Sequence, residues 1–183
     1  MRCLKTTGLA FIVALVFAAP PLTAQDGPVR NGFWASLGGG VGFNLTENSE
    51  GERLTGLSAF ARAGWALSPK WLVGGDVIGW FYSEDGADLT RGFVGGAVLF
   101  YPSATGGFYL KGSIGSSFSR VSANVASDGT NWGFGWALGL GYDIRLTDGL
   151  ALTLGADWLF QDSDSTTQRN NQLGMLTVGL TFF

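Results

Sequence analysis

The chain has 183 residues, of which 46% are hydrophobic and only 14% charged, and it carries 30 glycines and 14 phenylalanines. This composition suits one domain and excludes an intrinsically disordered protein. A formal charge of −3 argues against a nucleic-acid partner, which calls for a basic surface.

In chain order, residues 1–24 read as a cleaved secretory signal peptide. Arg2 and Lys5 supply the positive start, "LAFIVALVFAA" from Leu9 to Ala19 the apolar stretch, and Ala24 a small residue before Gln25. The apolar run is shorter than the roughly 20 residues that cross a bilayer as a helix. Cys3 is the chain's single cysteine and precedes that run, so no thiol, disulfide or thiolate metal site is expected in the mature domain, residues 25–183. Removal of Arg2 and Lys5 leaves 9 basic and 14 acidic residues, a net charge of −5.

From Gln25 onward, strand-like segments alternate with turn signals. Strands are predicted near 32–45, 54–67, 71–82, 90–101, 107–120, 131–145, 149–161 and 172–183. Three connections are short (68–70, 102–106, 146–148). Four are longer and polar (46–53, 83–88, 121–130, 162–171), and the two kinds alternate. Long connections at one end and short turns at the other predict an all-β fold, an eight-stranded antiparallel up-and-down transmembrane β-barrel.

The sixth strand shows why the wall must face lipid. Trp132, Phe134, Trp136, Leu138, Leu140, Tyr142 and Ile144 form one face, and Gly133, Gly135, Ala137, Gly139, Gly141, Asp143 and Arg145 the other. A soluble sheet would carry larger polar residues opposite its apolar face. A narrow barrel instead needs apolar residues outside and small or polar ones inside. The same rule places Leu150, Leu152, Leu154, Ala156, Trp158 and Phe160 outside on the seventh strand and Leu176, Val178, Leu180 and Phe182 outside on the eighth. The fourth strand, "RGFVGGAVLFY", satisfies either alternation, and Val94, Val98 and Phe100 are assigned outward. Trp65, Trp71, Tyr142 and Phe182 are expected at one membrane interface, with Phe43, Phe81, Phe118, Trp158 and Phe160 at the other.

A turn centred on Pro69 pairs Trp65 with Val73, Ala61 with Val77 and, on the inward face, Arg62 with Asp76. A turn centred on Thr147 pairs Trp136 with Trp158 and Ala137 with Asp157. An interior cluster of Arg62, Asp76, Lys111, Asp143 and Asp157 is therefore predicted, either as a charge-paired filling or as a proton or ion relay. Glu47, Glu50, Glu52, Glu84, Asp85, Asp88, Asp128, Asp162 and Asp164 crowd the external end, where they are candidates for Ca²⁺, Mg²⁺ or partner binding. The glycine strings "SLGGGVGF" and "VIGW" lack the lysine of a phosphate-binding loop and lie within strands.

These features resemble the small eight-stranded outer-membrane barrels of the OmpA transmembrane-domain and OmpX type. The resemblance rests on the leader, the four hairpins, the inward Arg, Lys and Asp set and the terminal "LTVGLTFF". It implies a bacterial outer-membrane location with periplasmic termini, and contact with outer-membrane lipid and lipopolysaccharide. It also implies an assembly signal at Phe182 and Phe183 for the barrel-assembly machinery, with Phe183 one step out of the apolar series. Enzymes on similar barrels need histidine, and this chain has none, so no catalytic activity and no cofactor are expected. Two functions remain: a structural or interaction barrel, with a protein partner at its external loops, and a narrow channel for ions or small solutes.

Overall fold

The computed structural model describes residues 30–45, 54–84, 87–123, 126–163 and 171–183; the predicted leader lies outside them. Eight antiparallel strands close into one barrel in chain order, with β1 hydrogen-bonded to β8. They are β1 (Gly32–Asn44), β2 (Thr55–Ser68), β3 (Trp71–Glu84), β4 (Ala87–Phe100), β5 (Phe108–Ala123), β6 (Ala126–Thr147), β7 (Leu150–Ser163) and β8 (Asn171–Phe182).

Two polar segments expected as connections are instead strand ends. β3 and β4 pair as far as Glu84 and Ala87, and β5 and β6 as far as Ala123 and Ala126. Polar composition there does not end the pairing, because a hairpin continues past the membrane as long as its backbone groups find each other. β6, with 22 residues, extends well beyond an apolar core of about 30 Å.

The register fixes the barrel's shape. Tracing paired residues from Phe33 through Trp65, Val73, Val98, Gly112, Leu138, Trp158 and Gly174 returns to β1 at Phe43, ten residues along. A shift of that size over eight strands tilts them by about 40°. The predicted Trp65/Val73, Ala61/Val77 and Arg62/Asp76 pairs all form. The β6–β7 pairing differs from expectation by two residues: Trp136 faces Phe160 and Ala137 faces Leu159, because the turn lies at Asp148–Gly149 and a bulge interrupts pairing between Arg145 and Thr147. An even shift keeps every side chain on its face.

The outward surface is apolar on every strand, as the alternation requires: Leu57, Ile114, Trp132, Leu138 and Leu176 are among its most exposed residues, and Val94 and Val98 resolve the ambiguous β4 as assigned. Aromatic rings cluster near both ends of this band. Phe33 meets Trp65 edge-on at 5.4 Å and Trp71 meets Phe100 at 4.6 Å near the short turns. Toward the opposite end, Trp136 and Phe160 stack at 4.0 Å and Phe118 lies 5.2 Å from Trp132.

Candidate functional site: the barrel interior

The interior corrects one expectation: it is not merely small and polar. Trp34, Leu72, Ala97, Leu99, Tyr101 and Tyr109 form an apolar cluster toward the short-turn end. Phe60, Ile78, Trp80, Phe93, Ala137, Leu159, Leu173 and Met175 form a second toward the other end. The inward glycines make room for these side chains on neighbouring strands. A Cβ on Gly42 would collide with the Trp80 indole, whose Nε1 donates to the Gly42 carbonyl at 3.0 Å.

Between the two clusters lies the predicted charge set, and four of its five members meet. Arg62 donates through Nε to Asp76 Oδ1 at 3.0 Å and through Nη2 to Asp157 Oδ2 at 2.7 Å. Lys111 Nζ reaches Asp76 Oδ2 and Asp157 Oδ1, each at 2.7 Å. The result is a closed ring of alternating charge, net neutral, in which each carboxylate gives one oxygen to each cation. Ser113 adds a 2.7 Å donation to Asp76 Oδ2. All four charged side chains are at most 5% exposed, so each depends on the ring for the solvation that water would have supplied. Asp157 faces Gly139 across the β6–β7 pair, and a side chain at 139 would overlap the Asp157 carboxylate and press on Lys111. That glycine is where the two halves of the ring gain room to meet.

Asp143 stands apart. It accepts from Tyr101 Oη and from Thr153 Oγ1, both at 2.8 Å, and the hydroxyl chain continues through Thr181 to Ser36. This network ties β1, β8, β7 and β6 to Tyr101 beyond β4. Below it sits Arg30, which sequence periodicity missed because it precedes β1. Arg30 donates to the Pro69, Ala104 and Gly106 carbonyls, and its guanidinium lies 3.5 Å from the Tyr101 ring centroid and 5.8 Å from that of Phe183. Burial lowers its pKa below the ordinary arginine value, against the opposing fields of Tyr101 and Asp143. Arg30 thereby draws the N-terminal entry, two short turns and the C-terminal aromatic over the lumen.

Phe182 points outward, paired with Leu150 and Ala35, whereas Phe183 is half-buried and packs against the lower cluster. Of the acidic residues expected at the external end, Asp88 accepts from Ser83 Oγ at 2.5 Å and Asp162 is exposed. Glu84 and Asp128 lie on strands, and Glu47, Glu50, Glu52, Asp85 and Asp164 fall outside the described residues. Among the described residues no three potential ligands gather into a metal site. Sequence reasoning also missed Arg91, buried inside β4, although the outward assignment of Val94 and Val98 carries it inward by parity.

Comparison with solved structures agrees with this architecture. The chain is similar to Neisserial surface protein A, with a TM-score of 0.66 and 16% identity over 82% of this chain and 96% of that one. It is also similar to Ail, the attachment invasion locus protein of Yersinia pestis, with a TM-score of 0.55 and 15% identity over 84% and 99% of the two chains. A second structure of Ail, in complex with the heparin analogue sucrose octasulfate, matches with a TM-score of 0.54. No family model and no curated protein matches the sequence. The fold is that of the small eight-stranded outer-membrane barrels.

Proposed function

We propose that this chain is a bacterial outer-membrane scaffold that strengthens the membrane and presents its external end to lipopolysaccharide and protein partners, with no enzymatic activity and no cofactor. The observation that carries the reading is the filled interior: a neutral charge ring sandwiched between two apolar clusters. Eight-stranded barrels are just wide enough for side chains to fill, whereas water-filled lumens belong to larger ones. A narrow channel would require Trp80, Phe93 and Leu159 to leave the external half of the lumen, where each is fully buried. Ail, a protein of the same fold, carries attachment in its name and a heparin analogue in one structure, which supports ligand binding as a use of such a barrel. In this reading the leader is cleaved, the termini are periplasmic, the barrel-assembly machinery reads the C-terminal strand with Phe182 and Phe183, and nucleic acid has no part.

The test replaces residues 46–53 and 164–170 with two-residue turns and measures binding to vesicles with and without purified lipopolysaccharide. The shortened protein is expected to fold but to bind the lipopolysaccharide vesicles at least tenfold more weakly than the parent. Equal binding by both proteins would contradict loop-mediated recognition.

A further inference from the structure

The interior charges of the described residues balance except at one position. Arg62 and Lys111 are matched by Asp76 and Asp157, while Arg30 is held by three carbonyls beside the Tyr101–Asp143 pair. Arg91 is only 2% exposed, and its Nε and Nη1 have no hydrogen-bond partner among the described residues. Among the described residues its one close electrostatic contact is the Trp80 ring, 5.7 Å from the guanidinium carbon. A cation–π contact of that length offsets a small part of the cost of burying an arginine.

Location decides where the missing charge comes from. Arg91 lies opposite Trp80 on β3 and Ser119 on β5, on the external side of Phe93. The Phe93, Ile78, Leu159 and Leu173 side chains separate it from the Asp76 and Asp157 carboxylates, both already saturated by their ring. Of the nearby polar groups, Gln161 Nε2 donates to the Gly92 carbonyl at 3.1 Å and Ser117 Oγ to the Phe134 carbonyl at 3.2 Å, and among the described residues none accepts from Arg91 Nε or Nη1. Among the described residues no carboxylate is left to match it, which points to a counter-charge entering from the external mouth. The planar guanidinium fork matches an oxyanion, and the depth of Arg91 restricts the ligand to a small ion or a single terminal group.

We propose that Arg91 forms an anion-binding site in the external half of the lumen, taking one small oxyanion such as phosphate or a phosphate-bearing headgroup. Asp88 and Asp162, exposed at the same end, disfavour extended polyanions, so the site selects a single charged group rather than a charged chain.

The experiment titrates inorganic phosphate into the refolded protein in neutral detergent at constant ionic strength, reading the phosphorus NMR linewidth and the urea midpoint. The parent protein should show saturable broadening and a rising midpoint, Arg91→Lys should bind at least tenfold more weakly, and Arg91→Met should show neither response. In phosphate-free buffer Arg91→Met should be at least as resistant to urea as the parent, because an unmatched buried charge is gone. If phosphate has no effect but phosphatidylglycerol vesicles, relative to phosphatidylcholine, stabilise the parent and not Arg91→Met, the oxyanion is a headgroup and the site stands. The proposal is overturned if neither anion source acts or if Arg91→Met responds like the parent. It is also overturned if Arg91→Met is the less stable protein at every phosphate concentration, since the chain would then supply the counter-charge itself.

Discussion

The Arg62→Met barrel is expected to be about 3–5 kcal/mol less stable than the parent in urea titrations of the refolded protein in vesicles, because two buried carboxylates are left with one cation. Asp76 would retain Lys111 and Ser113, but Asp157 would lose the 2.7 Å contact that balances its second oxygen. The cost lies in uncompensated burial rather than in the bonds themselves. A second substitution that restores neutrality should therefore recover most of it: Arg62→Met with Asp157→Leu leaves the Lys111–Asp76 pair balanced. Retained stability in Arg62→Met, accompanied by altered conductance, would instead make the ring a relay.

Trp80→Ala is expected to be destabilising on a similar scale, about 3–5 kcal/mol, through the cavity left in the cluster away from the short turns and the lost donation to the Gly42 carbonyl. The glycine opposite makes this prediction unusually specific. Gly42→Leu alone forces a side chain into the Trp80 indole and should also destabilise, whereas Gly42→Leu with Trp80→Ala refills the same space from the other strand. The double variant should be more stable than either single variant, a coupling measurable as a double-mutant cycle. Additive losses would show that the two positions do not share that volume.

This pairing also shows what the sequence conceals. Period-two alternation reveals faces where one side is apolar and the other is not, so β6, β7 and β8 could be read directly. Turn geometry gives the Arg62/Asp76 pair because a turn centred on Pro69 already matches the register beyond the Ala66/Ser68 irregularity, whereas the β6–β7 turn lies at Asp148–Gly149 rather than at Thr147. The inward aromatic residues were not legible in the same way. A glycine on β1 and a tryptophan on β3 are uninformative separately, and only the closed register shows that one vacates the space the other occupies. Asp143 illustrates the limit of face assignment: parity places it inside, but its height along β6 puts it with Tyr101 and Thr153 rather than with the ring. Arg30 lacked any periodic signal, since its position follows from the turns and the C-terminal residue that it gathers.

The interior thus has three parts arranged along the barrel. Arg30 and the lower apolar cluster cover one mouth, the charge ring locks four strands in the middle, and the Trp80 cluster fills the other half.

Single-channel recording of the refolded protein in a planar bilayer, with Trp80→Ala alongside, tests this account most directly. A filled interior predicts no reproducible conductance steps for the parent protein at moderate voltage. Steady steps from the parent, changed by Arg62→Met, would contradict it and identify the charge ring as the gate of a pore.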